Sequence, residues 1–286
     1  MGATNPNRTG LLAVPAGLFV ALFLLAPLAL MFRYSLNRFA PGEMMEQALT
    51  LENYGKFLAD GYYQGVLWTT LWTSGLATLI CLVLGYPVAW FMARTTAPRL
   101  KSLLVIAIVV PLLMGNAVRS AAWMVVLGEK GMLAALVGAL GLGERFGLLY
   151  TAPGVVIALV SVLLPFMIIT LQSVLEGVSH SLEEAAMSLG ASPRAAFVQV
   201  VLPLSLPGVL AGTSLCFILA MNAYATPVLV GGPQFHMMAP TVYQQVSKAM
   251  NWPFGAALAF VLMSVTLGLS IAANLLMQRR YRRWAE

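Results

Sequence analysis

The sequence predicts an all-α membrane protein with six transmembrane helices and one cytoplasmic helical loop between the fourth and the fifth. Charged residues make up 9% of the 286 residues, against roughly 25% in soluble domains. With 60% hydrophobic residues and a mean hydropathy of +0.85, the apolar surface exceeds what one compact domain of this length could bury. The excess must face lipid, which excludes a water-soluble globule.

Six stretches of at least about 18 residues without strong charge are long enough to cross a bilayer as helices. The first exceeds the apolar region of a typical secretory signal, and no clear cleavage site follows it, so we expect it to remain as a helix. The fifth lies within a longer uncharged run that prolines interrupt. The predicted spans are Leu11–Phe32, Gly65–Ala93, Ser102–Leu127, Phe146–Leu175, about Leu204–Val230, and Asn251–Gln278.

The distribution of basic residues predicts the orientation of these spans. An even number of crossings places both termini on the same side, and that side carries nine Lys or Arg against six on the other. The clusters Arg94–Lys101 and Arg279–Arg283 lie in short segments next to spans, where the positive-inside rule is strongest. We therefore expect both termini in the cytoplasm and a single transmembrane domain over residues 1–286.

The main cytoplasmic feature on this topology is the loop of about residues 176–203. Ser181 and Glu184 have the spacing of a capping box, which predicts the start of a short helix. Gly190 is placed to adopt the left-handed conformation that ends such a helix. Ser192–Pro193 then predicts the N-cap and first residue of a second helix. The loop is therefore expected to form a helix, a tight turn and another helix.

Small residues on the first of these helices would allow the close backbone approach that a docking surface needs. Glu184-Ala185-Ala186, followed by Gly190 and then by Val200-Val201-Leu202-Pro203, resembles the EAA motif of permease subunits of bacterial binding-protein-dependent ABC importers. Valine stands where isoleucine is usual. The resemblance implies the type I ABC importer permease fold, in which this loop holds a coupling helix that docks on an ATPase subunit. It also implies that Glu184, Ala185, Ala186 and Gly190 are the ATPase-contact positions.

The same resemblance implies an assembly in the bacterial inner membrane. Its members would be a second homologous permease, two copies of an ABC ATPase and an external solute-binding protein, with lipid around the spans. This chain has no GxxxxGK[ST] phosphate-binding loop, so ATP and Mg²⁺ would be bound and used by the partner ATPase. We expect no cofactor in this chain and no enzymatic activity of its own.

Shorter strings indicate a solute class. Leu84–Trp90, Leu164–Met167 and Pro203–Gly208 are similar to permeases of the spermidine/putrescine uptake class, which implies a polyamine or a related nitrogenous compound. A polycation is expected to pass carboxylates, yet the predicted spans contain none and include Arg119. Two explanations stay open: the partner permease supplies the acids, or the solute is anionic or zwitterionic, such as an aminophosphonate or an opine.

Several residues in the predicted spans are candidates for the solute pathway. An intramembrane charge is a functional-site candidate by default, although we expect Arg119 to be a structural tie to a broken helix end or to the outer surface. Three candidates come just before Pro227, whose ring disrupts the helix and exposes carbonyls to a cavity. An aromatic box for a cation is a further interpretation of Trp72 and Tyr224. The candidates are Trp72, Arg119, Asn222, Tyr224 and Thr226.

Other function classes lack the residues that their chemistry requires. An ion-coupled secondary transporter, the main alternative, usually places an acid or a histidine at the membrane midplane, and the predicted spans offer neither. HExxH and GxSxG are absent, so an intramembrane enzyme is not expected. His180 and His236 do not fit a metal-ligand spacing. The basic residues lie at span ends and form no stripe for nucleic acid.

Overall fold

The computed structural model describes residues 6–43, 45–140 and 147–285, and side chains are described for residues 15, 17–43, 45–140 and 147–275. The architecture of this part is all-α, as predicted, with thirteen α-helices and one π-helical turn. The helices are α1 Pro6–Ser35, α2 Glu52–Ala59, α3 Gly61–Arg94, α4 Pro98–Leu113, α5 Asn116–Leu127, α6 Met132–Ala139, α7 Ala152–Glu176, α8 His180–Ser188, α9 Pro193–Ala196, the π turn Phe197–Val201, α10 Leu202–Met221, α11 Ala225–Val230, α12 Met238–Ser247 and α13 Trp252–Ala285.

Six candidate membrane spans occur among the described residues, which confirms the predicted number. Each is long and apolar enough to cross a bilayer. The second and sixth spans agree with the predicted bounds to within four residues at both ends. The fourth agrees at its end, whereas its predicted start, Phe146, lies outside the described residues. The candidates are Gly17–Ser35, Gly61–Arg94, Asn116–Ala139, Ala152–Glu176, Pro193–Met221 and Trp252–Leu275.

The third span differs from the prediction Ser102–Leu127. The chain leaves the helix at Met114 and Gly115, so that α4 and α5 are separate, and the membrane candidate begins at Asn116. Pro111 lies in the last turn of α4, and the Met114 N–H donates to the Pro111 carbonyl (3.3 Å) in a tightened final turn. Proline removes a helix donor and its ring disfavours continuation. An uncharged run in the sequence does not reveal such an interruption.

The fifth span also differs from the predicted Leu204–Val230. It starts earlier, at Pro193, because the π turn joins α9 to α10 without a break, and the Leu202 N–H donates to the Phe197 carbonyl. It ends earlier, at Met221, and α11 follows as a separate short helix. Pro227 has no N–H to donate to the carbonyl of Ala223, four residues earlier. The break between α10 and α11 lies at that residue. The disruption expected at Pro227 is therefore present.

Two compact units can be distinguished, the first comprising the chain up to Gln64 together with Thr241–Val261. In this unit the segment after α1 is fastened by Asn53, whose amide donates to the carbonyls of Ser35 and Asn37 (both 2.8 Å). An exposed ion pair joins Arg38 to Glu52 (2.9 Å), and the hydrogen bond that Arg38 Nε donates to this carboxylate raises the pKa of Arg38. The segment is thus ordered by its own polar contacts.

The second unit comprises Gly65–Pro240 and the chain from Leu262 onward, and it contains all the candidate site residues. Its core is built around α7, the most buried of the six spans. Gly208 and Gly212 on α10 are buried and form a GxxxG pattern, which is typical of close helix contact. A Cβ on Gly208 would lie 2.8 Å from the Cβ of Val174 on α7. The two helices therefore approach each other at glycine.

Replacing Gly208 with alanine is expected to destabilise the protein by about 1–3 kcal/mol, since the stiff, β-branched side chain of Val174 cannot move away from the added methyl group. Gly212→Ala should cost less, because its Cβ would meet the flexible Met167 Sδ (2.8 Å). Gly268→Ala is the matched control, with nothing within 4 Å of its Cβ. Thermal unfolding of the purified protein in detergent measures all three. Equal effects at the three positions would contradict the close contact between α7 and α10.

Candidate coupling loop and solute pathway

The start of the loop helix differs from the predicted capping box. The N-cap of α8 is Ser179, and its hydroxyl accepts from the Ser181 N–H (3.3 Å). Ser181 therefore lies inside the first turn, and Glu184 pairs with His180 Nδ1 (3.1 Å) one turn earlier instead of with the backbone. Because Ser179 and Ser181 both lie near the helix start, spacing alone selected the wrong serine.

The end of α8 agrees with the prediction. Gly190 has φ +94°, the left-handed conformation that glycine adopts at least cost. Its N–H donates to the Met187 carbonyl (3.0 Å), and the Ala191 N–H donates to the Ala186 carbonyl (3.1 Å). These are the two bonds of a Schellman end. The Ser192 hydroxyl then accepts from the Ala195 N–H (3.2 Å), which confirms the second N-cap.

The predicted ATPase-contact positions lie on an open surface of this unit. None of the residues of α8 is buried. The Glu184 side chain is 64% exposed, Ala185 and Gly190 are exposed, and Ala186 is half-buried. Leu189, which the sequence analysis did not single out, lies beside them and is 90% exposed. The four predicted positions and Leu189 are thus available together for a partner.

The pathway candidates divide into three places in the structure. Asn222 ends α10, and its amide donates to the Ile218 carbonyl of the same helix (2.9 Å). Thr226 is buried and its hydroxyl shares a hydrogen bond with Ser120 (2.9 Å), which links α11 to α5. Tyr224 is 41% exposed in the break between α10 and α11. Of these three, Asn222 and Tyr224 have the accessible side chains that a pathway residue needs.

Trp72 lies elsewhere, in an open apolar groove of about 700 Å³. The groove is formed by α3, α10 and the second-unit part of α13, and Tyr224 is not among its lining residues. Trp68, one turn before Trp72, lines it as well. This groove therefore does not bring Trp72 and Tyr224 together.

Arg119 lies in the first turn of α5, immediately after the break at Gly115. Its Nη2 donates to Asn116 Oδ1 (3.0 Å). Its Nε and Nη1 are buried and have no hydrogen-bond partner within the described part of the chain. The guanidinium thus lies beside a broken helix end, and the bond found for it among the described residues is to its own helix. Buried N–H groups normally have acceptors, so the acceptors of these two lie beyond the described residues.

Six helices long and apolar enough to cross a membrane, with an exposed helical loop between the fourth and fifth, define a polytopic membrane protein. Residues 76–283 match the family described as "Binding-protein-dependent transport system inner membrane component". The chain belongs to this family, and it is therefore an inner-membrane component of a transport system that works with a binding protein.

Relatives of known name cover most of the chain. The spermidine/putrescine transport system permease protein PotB of Haemophilus influenzae is 36% identical over 236 residues, which is 81% of this chain and 82% of the relative. The protein of the same name from Escherichia coli K12 is 32% identical over 254 residues, 88% of this chain and 91% of the relative. The resemblance to this class of permeases is thereby confirmed.

Solved structures share the fold at low sequence identity. A chain of a bacterial alginate ABC transporter, crystallised with a periplasmic protein carrying an alginate pentasaccharide, has a TM-score of 0.79 and 14% identity, covering 96% of this chain and 95% of that one. A chain of the MetNI methionine ABC transporter in an inward-facing conformation has a TM-score of 0.57 and 17% identity, covering 76% and 93%. These comparisons confirm the permease fold of ABC transporters.

Proposed function

We propose that this chain forms half of the membrane channel of an ATP-driven importer for polyamines. The observation that carries the proposal is the exposed α8 loop between the fourth and fifth spans, ended by Gly190 in the left-handed conformation. A short helix on an open surface, with small residues at 185, 186 and 190, fits the docking of an ATPase that supplies the energy. Family membership and the permease fold support this interpretation.

The proposed complex contains this chain, a second homologous permease, two ATPase copies that bind ATP and Mg²⁺, and an external solute-binding protein. Glu184, Ala185, Ala186 and Gly190 contact the ATPase, which hydrolyses ATP in the cytoplasm. A binding protein fits the family's description. This chain contributes no catalytic residue; it forms the passage and receives the movement of the ATPase.

The solute is proposed to be a polyamine because the PotB relatives carry that name over more than four fifths of this chain. One observation favours a second candidate, an anionic or zwitterionic solute. No Asp or Glu occurs in α3, α5, α10 or α11, whereas Arg119 offers two buried N–H groups without partners among the described residues. In the polyamine case the second permease supplies the acids that the cation requires.

The test is purification of the complex from its own membranes, followed by reconstitution into vesicles. We expect an ATPase, a second permease and a binding protein to co-purify, and spermidine or putrescine to be taken up only with ATP. Uptake of an opine or aminophosphonate, but of neither polyamine, would show that the solute is anionic or zwitterionic. Uptake driven by an ion gradient without ATP would instead favour a secondary transporter.

The proposed orientation places the termini and α8 in the cytoplasm and the segment between α1 and α3 outside. Cys81 and Cys216 are free and buried, so a background that lacks both leaves no native thiol. Single cysteines at exposed positions 46 and 184 are then treated with an impermeant thiol reagent in intact cells. We expect labelling at position 46 and none at position 184 until the cells are opened. The reverse pattern would invert the orientation.

A further inference from the structure

Two neighbouring acids on α8 have opposite surroundings. The Glu184 side chain is 64% exposed, whereas the Glu183 side chain is 12% exposed. Successive residues of an α-helix point about 100° apart, so one acid faces outward while its neighbour faces the body of the unit. Glu183 is therefore placed to connect α8 to the membrane helices rather than to a docked protein.

The partner of Glu183 is Arg94, the last residue of α3. Arg94 Nη2 donates to Glu183 Oε1, and Arg94 Nη1 donates to the Val178 carbonyl (2.9 Å). The Arg94 side chain is 16% exposed. One guanidinium thus holds both the residue that leads into α8 and the first turn of α8, and its planar fork suits two acceptors at once.

The return of the loop contacts the same helix. Phe197, in the π turn, packs edge-to-face against Trp90 (centroids 5.7 Å apart) and Tyr86 (5.9 Å). The Tyr86 hydroxyl also shares a hydrogen bond with Ser205 Oγ on α10 (2.8 Å). These aromatic residues lie one and two turns before Arg94 on α3. The second span therefore has a polar contact at the entry of the loop and an apolar contact at its exit.

We propose that the Arg94–Glu183 pair is the joint that makes the second span follow the movement of α8. This inference rests on the proposed function, since it requires an ATPase that displaces α8. Both are positioning residues that contact neither solute nor nucleotide. Their low exposure matters, because an exposed ion pair contributes little, whereas breaking a buried pair strands a charge.

The chain offers a matched control pair at neighbouring helix ends. Lys101 on α4 and Glu176 at the end of α7 lie 2.7 Å apart, and their side chains are 38% and 39% exposed. This pair has the same charges but does not involve α8. Its removal should leave transport close to that of the wild type.

The experiment measures solute uptake per ATP hydrolysed in the reconstituted importer. In Arg94→Gln and Glu183→Gln we expect the ATPase to stay bound and its basal rate to be kept, while uptake per ATP falls about fivefold or more, a typical effect of lost coupling. The reversed pair, Arg94→Glu with Glu183→Arg, restores the ion pair but not the bond to the Val178 carbonyl, because a carboxylate cannot donate. It should therefore recover part of this loss. Glu176→Gln should show no change.

Three results would contradict the proposed role of the Arg94–Glu183 pair. A wild-type ratio of uptake to hydrolysis in both single variants would do so, and so would an equal loss in Glu176→Gln. Failure of the ATPase to assemble with the single variants and with the reversed pair would make the contact purely structural. The proposed function fails separately, in the unmodified complex, if the loaded binding protein does not stimulate ATP hydrolysis.

Discussion

Replacing Gly190 with valine is expected to reduce solute-stimulated ATP hydrolysis and uptake by about tenfold, within the usual range of coupling effects. At φ +94° a residue with a side chain is strained by roughly 1–2 kcal/mol, and a β-branched residue is a genuine outlier there. A Cβ at this position would have nothing within 4 Å in this chain, so no clash within the permease adds to this strain. The loss comes from the backbone, which leaves left-handed geometry and turns α8 away from its docking position.

Gly190→Asn provides the control, because asparagine tolerates the left-handed conformation better than other residues with side chains. We expect it to retain most of the stimulated activity. Both variants should insert into the membrane like the wild type, since the loop is exposed. The measurements are ATP turnover with and without the loaded binding protein, and the amount of ATPase bound. Unchanged turnover in Gly190→Val would exclude α8 as the coupling helix.

Replacing Arg119 with alanine is expected to lower uptake about tenfold or more while thermal stability changes little. The sequence alone favoured a structural tie and hence a loss of stability. In the structure, however, the substitution removes one hydrogen bond to Asn116 and also two buried N–H groups that have no partner among the described residues. A lost bond to a charged group costs about 1.5–3 kcal/mol, while unsatisfied buried donors carry a penalty of similar size. The two effects offset each other in this chain.

Two further variants identify which property of Arg119 matters. Asn116→Ala removes the bond within α5 but keeps the guanidinium, and we expect uptake to fall less than in Arg119→Ala. Arg119→Lys keeps the charge but not the planar fork, so partial activity is expected where several acceptors are bound. Uptake in vesicles and the unfolding temperature of the complex are measured together. A large drop in unfolding temperature with normal uptake per intact complex would assign Arg119 a structural role.

Membrane class, the number of spans and the turn at Gly190 could be predicted from the sequence because each depends on local composition. A long uncharged run must face lipid or core wherever it lies. Left-handed geometry at a helix end selects glycine whatever surrounds it. The EAA-like string from Glu184 to Pro203 likewise located the loop that is exposed in the structure. These signals require no knowledge of distant contacts.

Only the tertiary structure decided where helices are interrupted and which side chains meet. Apolar composition is the same on both sides of Gly115, so it could not show the break that places Arg119 at the start of α5. Pro227 predicted a disruption in the fifth span, but not that α10 ends as early as Met221. Arg94 and Glu183 are far apart in the sequence, and their contact depends on the packing of α8 against the end of α3. Local propensity determines which segments become helical and which residues can end them. Long-range packing determines which charges are paired, buried or left to a partner, because that depends on which helices lie side by side.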